Sequence, residues 1–386
     1  MEGHRPVPAS ASEAAIDLMK HIILVLAMLA AAVLPLASCA AVTQPSMGVD
    51  LTAFRHDADD PAVAQIWLTA LEKPRQGGEA IAPPRALFIS GGGANGAFGG
   101  GLLLGWTRSG RRPSFDVVTG VSAGALIAPF AFLGPAWDAE LERAIIEPKL
   151  SSLLRLNGLA SLTRPGFYNP GPLRAFVAEF VTDRLLDAIA AEHARGRRLL
   201  VATTSLTTQR REIWDLGAIA STPSASRRQL FIDILVASAS VPVLFPPQPI
   251  PEPIRDAPHP EPQVDGGITG HLLTIPQTMW LPQAPIPDLR TAEFFVIING
   301  HIDPSQQAYP TGPRSYLSDT YAAMSLSSYR IELAMTRAFC NRNGVSLKVA
   351  QIASAGDDAM LDFSQPHLRR LFDLGSAAGE SDEVWQ

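Results

Sequence analysis

Two side chains in this sequence sit in surroundings that suit nucleophilic chemistry, Ser122 and Asp265. Ser122 is the centre of Gly120-Val121-Ser122-Ala123-Gly124, between the β-branched run Val117–Val121 and the apolar run Ala123–Leu133. A serine at a sharp turn from a buried strand into a helix is held out as a nucleophile. Glycines beside it let the strand and helix approach each other. Such a serine needs a base. Asp265 is followed by Gly266 and Gly267, and a carboxylate can take the serine proton directly if its site is dry enough to raise its pKa. In the Ser…Asp…His order of α/β-hydrolases the base would instead be a later histidine, and His271, His301 and His367 lie downstream. None of these has the glycine framing of Asp265. With Asp265 as the base, the loss of any one histidine should cost less than about tenfold in rate.

The chemistry also needs a place for developing negative charge. Gly91-Gly92-Gly93-Ala94-Asn95-Gly96 follows the apolar run Ala86–Ile89 and leads into a second apolar run. A row of backbone N–H groups at a helix N-terminus, with little side chain in the way, can hold an oxyanion. The same glycines satisfy the G-x-G-x-x-G spacing of a dinucleotide site. The acidic residue at the right distance, Asp116, precedes the strand Val117–Val121 and so falls at the wrong edge of the sheet. A phosphate-binding P-loop is excluded, since no Gly-Lys-Ser/Thr follows.

These turns must be carried by a substantial core. The chain has 386 residues, 47% hydrophobic and 18% charged, so a large α/β domain is within reach. The net charge is −6 with no basic run, which argues against nucleic acid as a partner. Ala86–Ile89 reads as a central parallel strand buried on both faces. A glycine-rich helix follows over 97–106, its glycines expected to approach the sheet closely. Further elements are a strand at 117–121, a helix at 123–133, and one helix from Leu173 to His193 introduced by Asn169-Pro170. Beyond them come strands at 199–204 and 211–216, a helix at 230–240, a strand at 293–299, a long helix at 321–339 and a last strand at 345–352. Nine prolines fall between Pro242 and Pro262, which predicts a stiff extended loop there. Cys340 reads as a small buried hydrophobe.

The N-terminal part has a different character. Lys20 and His21 precede the apolar run Ile22–Leu36, the pattern of a secretory signal. The run ends in Leu36-Ala37-Ser38-Cys39, which resembles the bacterial lipobox, in which cleavage leaves a lipid-modified cysteine; the alternatives are an ordinary cleaved signal and an uncleaved anchor, for which the apolar run is marginal in length past Pro35. The expected organisation is therefore a signal segment 1–38 with the natural start at Met19, and a tether and linker 39–83 holding a short helix at 62–71. A catalytic domain 84–375 and a disordered tail 376–386 complete it.

Taken together, Gly91–Gly96, Gly120–Gly124, Ala237-Ser-Ala-Ser-Val-Pro242 running to Phe245-Pro246-Pro247, and Asp265-Gly266-Gly267 resemble, in order, the motifs of the patatin-like phospholipases. The resemblance covers roughly residues 84–270. It implies a three-layer α/β/α fold with a mainly parallel central sheet and a Ser–Asp dyad of Ser122 and Asp265. It also implies an oxyanion hole in the 91–96 loop and hydrolysis of lipid acyl esters with no metal or cofactor. The alternatives on the same dyad are a general carboxylesterase or an acyltransferase. Outside enzymes, the alternative is a silent lipid-binding envelope protein. One departure is Asn95, where the family usually has Arg or Lys. With Cys39 lipidated, the expected setting is a membrane surface of the bacterial envelope, at the outer membrane or periplasmic face, with a lipid ester as partner and no nucleic acid. Oligomeric state is not legible in the sequence.

Overall fold

The computed structural model describes residues 51–72, 83–146, 166–250, 260–280, 286, 288–303, 312–353 and 360–386. The signal segment, Cys39 and most of the 73–84 linker lie outside the described residues.

A mixed sheet organises the fold. Its spine is five parallel strands in the order β4 (Arg198–Ser205), β3 (Val117–Val121), β2 (Arg85–Ile89), β8 (Glu293–Ile298) and β9 (Ser346–Gln351). Beyond β4 the sheet continues with β5 (Arg211–Asp215) and β1 (Arg55–Asp57), both antiparallel to their neighbours. A further pair, β6 (Gln248–Ile250) and β7 (Glu261–Asp265), joins through β7, antiparallel to β4.

The central strands β2, β3, β4 and β8 are buried on both faces, and their alternation divides the core in two. Leu87, Ile89, Val118, Phe295 and Ile297 point into one cluster; Ala86, Phe88, Val117, Val121, Phe294 and Val296 point into the other. The first cluster is covered by α2 (Gly96–Arg108), α3 (Ala123–Leu133), α4 (Asp138–Ile146), α5 (Pro170–Phe180), α6 (Asp183–Ala194), α7 (Leu216–Ala220), α8 (Arg227–Ser238) and α10 (Gln365–Glu380). The second is covered by α1 (Pro61–Glu72) and α9 (Pro313–Asn343). Helices on both faces of a parallel sheet bury its near-continuous apolar strands. The result is the three-layer α/β/α arrangement expected. None of the described helices is long and apolar enough to cross a membrane.

Four expectations change. First, the sheet does not begin at Pro84. Arg55–Asp57 in the expected tether forms β1, and α1 packs Trp67 edge-on against Phe294 at 5.3 Å between ring centroids. Arg55 ties this edge down by pairing with both Glu212 and Glu261. Second, the helix expected over 173–193 is two helices. Thr182 caps α6, its hydroxyl accepting from Leu185 N at 3.2 Å, while Arg228 takes the carbonyls of Ala178 and Val181 at the end of α5. Third, the proline-rich stretch is not wholly irregular, because β6 and β7 pair within it. Their prolines face each other at Pro249 and Pro262 on an edge, where a missing donor costs little. Residues 251–259 lie outside the described residues.

Fourth, the tail is ordered. α10 runs through 376–380, and Gln386 exchanges two backbone hydrogen bonds with Val349 at 2.9 and 3.0 Å. Trp385 packs at a tilt against Trp106, with 4.5 Å between ring centroids. The glycines of α2 serve this contact. A Cβ on Gly101 or Gly105 would fall 2.0 or 1.9 Å from a carbonyl of α10, so the two helices meet backbone to backbone. Only Gly99 turns toward the sheet, at Asn299 and Ile297. Cys340 is buried as expected, and burial pushes its thiol up to about 12.

Candidate active site

The sheet itself brings Ser122 to Asp265. Strand β3 pairs with β4 as far as Val121 opposite Ala202, and then leaves. The vacated place beside β4 is taken by β7 arriving from the other direction, with Asp265 opposite Thr203. The last residue of β7 therefore ends against the residue that follows β3. Ser122 Oγ donates to Asp265 Oδ2 at 2.6 Å. Asp265 is fully buried and Ser122 is 4% exposed.

The turn at Ser122 is strained, as the glycine framing suggested. Its φ is 54° and ψ −123°, a region that residues with a Cβ rarely occupy. A Cβ on Gly120 would lie 2.4 Å from Gly124 O, and one on Gly124 2.3 Å from Ile89 O, so neither position has room for a side chain. The end of α8 holds this geometry. Ser238 Oγ accepts from Ser122 N at 3.0 Å and donates to Ala202 O at 2.7 Å, while Ser240 O accepts from Asp265 N at 3.0 Å. Ser238 and Ser240 thus support both members of the pair. The segment 237–242 was recognisable in the sequence, but nothing in it revealed this double anchoring.

Electrostatically, the Asp265 carboxyl is set by burial. Desolvation pushes it up to about 7, against the Ser122 hydroxyl and the Gly267 N–H (2.7 Å to Oδ1), which favour the carboxylate. A carboxylate with that affinity for a proton is a competent base near neutral pH.

Of the six N–H groups in the 91–96 loop, four are already committed. Gly91 N donates to His271 O, Ala94 N to Met360 O, Asn95 N to Gly92 O, and Gly96 N turns back on Gly93 and Ala94. Among the described residues, Gly92 and Gly93 alone in this loop keep N–H groups without an acceptor, and both have positive φ, 152° and 57°. Of the six residues expected to form an oxyanion hole, these two therefore keep backbone donors free for an incoming oxygen. Asn95 is fully buried and does not line the cavity described next.

Ser122 opens onto a cavity of about 130 Å³ walled by α3, α5, α6 and their neighbours, including Leu126, Phe130, Phe176, Phe180 and Leu185. Gly93 lies in the same wall. Among the described lining residues, Ser122 carries the one polar side chain. Of the three histidines, His301 and His367 do not line this cavity. His271 is buried beside the loops, close to Gly91 and Gly267, and burial with the charge of Arg211 holds its imidazole down at about 3.

Comparison with known proteins follows the same residues. Residues 87–274 match the family model of the patatin-like phospholipases. A search of curated protein sequences gives no match. Among solved structures, the chain is similar to VipD from Legionella pneumophila, at 14% identity and TM-score 0.33, over 78% of this chain and 67% of that one. It is also similar to human GIVD cytosolic phospholipase A2, at 14% identity and TM-score 0.35, over 78% of this chain and 53% of that one. The chain thus spans about half the length of the human protein.

Proposed function

We propose, from the match of residues 87–274 to the patatin-like phospholipase family model, that the protein is a lipid ester hydrolase that cleaves fatty acyl esters through a Ser122–Asp265 dyad. The observation that carries the reading is the buried 2.6 Å hydrogen bond from Ser122 Oγ to Asp265 Oδ2 at the mouth of an apolar cavity. In the first step Asp265 takes the hydroxyl proton as Ser122 Oγ attacks the ester carbonyl. The carbonyl oxygen becomes an oxyanion, which the N–H groups of Gly92 and Gly93 stabilise. The tetrahedral intermediate collapses, Asp265 returns the proton to the leaving alcohol, and an acyl-serine remains. Water, deprotonated by the same carboxylate, then releases the fatty acid.

The cavity supports an acyl chain as the part of the substrate that is bound. Its lining is uncharged, so a charged head group has no partner there, whereas methylenes gain roughly 0.8 kcal/mol each on leaving water. The reading extends to location. Leu36-Ala37-Ser38-Cys39 supports lipid anchoring at Cys39 and hence action at an envelope membrane.

A fluorophosphonate probe tests the chemistry, since it reacts with activated serines. Wild type should be labelled and Ser122→Ala should not; labelling of the Ala variant would put the nucleophile elsewhere. For the anchor, a metabolic fatty-acid probe should mark wild type and not Cys39→Ala, and equal incorporation would refute it.

A further inference from the structure

His271 lies inside the family-matched segment, but the helix that packs on it does not. Helix α9, at 313–343, begins well beyond residue 274. One stripe of that helix, Ser325, Ser328, Tyr329 and Glu332, reaches the two loops that carry the chemistry. Ser328 Oγ accepts from His271 N at 3.0 Å, and Glu332 Oε2 accepts from Leu272 N at 2.7 Å. Glu332 is itself paired with buried Arg211 at 2.6 Å, and Arg211 donates to Leu272 O at 3.1 Å. Tyr329 donates its hydroxyl to Gly91 O at 3.0 Å. The backbone of His271 closes the circuit, since its carbonyl accepts from Gly91 N at 3.0 Å. The loop after Asp265 and the loop before Gly92 are thus joined at His271 and clamped by α9.

The protonation of His271 follows from its neighbours. Ser325 Oγ stands 2.9 Å from His271 Nε2 and 2.8 Å from Tyr321 O. A carbonyl can only accept, so the Ser325 hydrogen goes to Tyr321 O, and Nε2 must be the donor to Ser325 Oγ. Nδ1 is then a bare acceptor. It has no hydrogen-bond partner among the described residues, and the ring is 2% exposed. The Ser122 hydroxyl points at Asp265, not at this nitrogen. The imidazole is wedged where a Cβ on Gly91 would be 3.2 Å from Nδ1 and one on Gly267 would be 2.9 Å from it. Tyr321 and Tyr329 meet its ring edgewise at 5.4 and 5.3 Å.

We propose that His271 is a positioning residue. Held as the neutral Nε2–H tautomer by Ser325, it fixes the distance between the Asp265 loop and the Gly92–Gly93 donors, and α9 is thereby part of the catalytic unit. This rests on the dyad reading above. It also departs from the sequence-level expectation that every histidine is dispensable within about tenfold. The reason to expect more is geometric: a misplacement of about 1 Å between reacting groups can cost roughly a hundredfold.

The test is steady-state kinetics on the full-length protein with a p-nitrophenyl acyl ester, alongside melting temperatures. His271→Ala should lower kcat by about thirtyfold or more with KM within about threefold. His271→Gln, which can keep an N–H near the Nε2 position, should recover to within about fivefold of wild type. Ser325→Ala and Tyr329→Phe each delete one hydroxyl, and each should cost about five- to tenfold in kcat. These two variants decide the matter if His271→Ala does not fold. Wild-type kcat in both, or in folded His271→Ala, overturns the proposal. So does a His271→Gln variant as inactive as Ser122→Ala, since that would make the imidazole the base. Asp265→Asn is measured in parallel. Retained turnover there refutes the dyad, whatever the histidine variants do, so the two failures are distinguishable.

Discussion

The two halves of the proposed dyad are built in opposite ways. The Ser122 turn is local. Its strand, its glycines and its helix all lie between Val117 and Leu133; Gly120 is denied a side chain by Gly124 and Ala125 within that stretch, and Gly124 by the end of the neighbouring strand β2 at Ile89 and Ser90. The Asp265 loop is assembled from afar. β7 enters a place that β3 leaves empty, Ser240 holds the backbone of Asp265, and Glu332 reaches Leu272 from 60 residues away. A nucleophile can be held up by one strained turn. A base must be buried, dry and aimed, and here that takes pieces of three other elements.

The largest expected effect removes the chemistry while leaving both architectures standing. Ser122→Ala and Asp265→Asn should each lower kcat by roughly 10³- to 10⁶-fold, with circular dichroism unchanged. If Asp265→Asn kept more than about a tenth of wild-type turnover, the two halves would not be equal partners and the comparison would fail.

Next comes breakage of each half by its own weak point. Gly124→Ala places a Cβ 2.3 Å from Ile89 O and 2.5 Å from Ser90 O, both backbone atoms that cannot swing aside. It should destabilise the fold by about 3 kcal/mol. Glu332→Ala strips buried Arg211 of its carboxylate and Leu272 N of its acceptor, and should cost a similar amount, about 3–5 kcal/mol. Urea denaturation measures both. A Glu332→Ala protein as stable as wild type would mean that the base loop does not depend on α9.

This contrast also explains what the sequence made legible. The serine turn could be read because its causes are consecutive. Val117–Val121 and Ala123–Leu133 appear in the structure with the expected bounds. Asp265 was visible through Gly266 and Gly267, but the slot beside β4, the anchoring by Ser238 and Ser240, and the role of His271 depend on residues distant in the chain. No periodicity announces such contacts. The same limit accounts for the tail. Gly375 and Gly379 look like helix breakers in a small-residue segment, and only their apposition to α2 makes them a packing surface. Thr182 is the exception, since its capping side chain before Asp183 and Leu185 was a readable helix start that the long apolar period overrode.

The pH dependence should separate the halves more gently. The Asp265 carboxyl must be ionised to accept a proton, and burial raises it to about 7. The value of kcat/KM should therefore rise about tenfold per pH unit below that point and level off above it. Stability should run the other way. Asp265 binds its proton more tightly folded than unfolded, so the stabilisation is present below its unfolded value, 3.8, and is lost as pH rises through about 7. Glu212, raised to about 7 chiefly by burial, contributes in the same direction. Asp265→Asn should be the less pH-sensitive protein, its melting temperature gaining on wild type between pH 5 and pH 8. A parallel decline in both would show that the carboxyl is not strained by its burial.

The smallest expected effect concerns backbone strain, which both halves contain. Ser122 has φ 54°, and Val243, on the approach from α8 toward β6 and β7, has φ 72°. For a β-branched residue that conformation is an outlier and costs about 1–3 kcal/mol. Glycine takes it freely, at the expense of about 0.5–1 kcal/mol of chain entropy. Val243 is 49% exposed, so little burial is lost on truncation, and its carbonyl still accepts from Phe167 N. Val243→Gly should therefore stabilise the protein by about 1 kcal/mol and leave kcat within about twofold. At the serine turn the equivalent comparison is between two inactive proteins, Ser122→Gly and Ser122→Ala. The glycine variant should again be the more stable, by about 1 kcal/mol, because alanine keeps the Cβ that the turn disfavours. Equal gains at both sites would mean that the strain belongs to the backbone path and not to the nucleophile alone. If Val243→Gly instead lowers kcat while raising stability, the strained valine helps to aim Asp265, and the base loop shares the device that defines the serine turn.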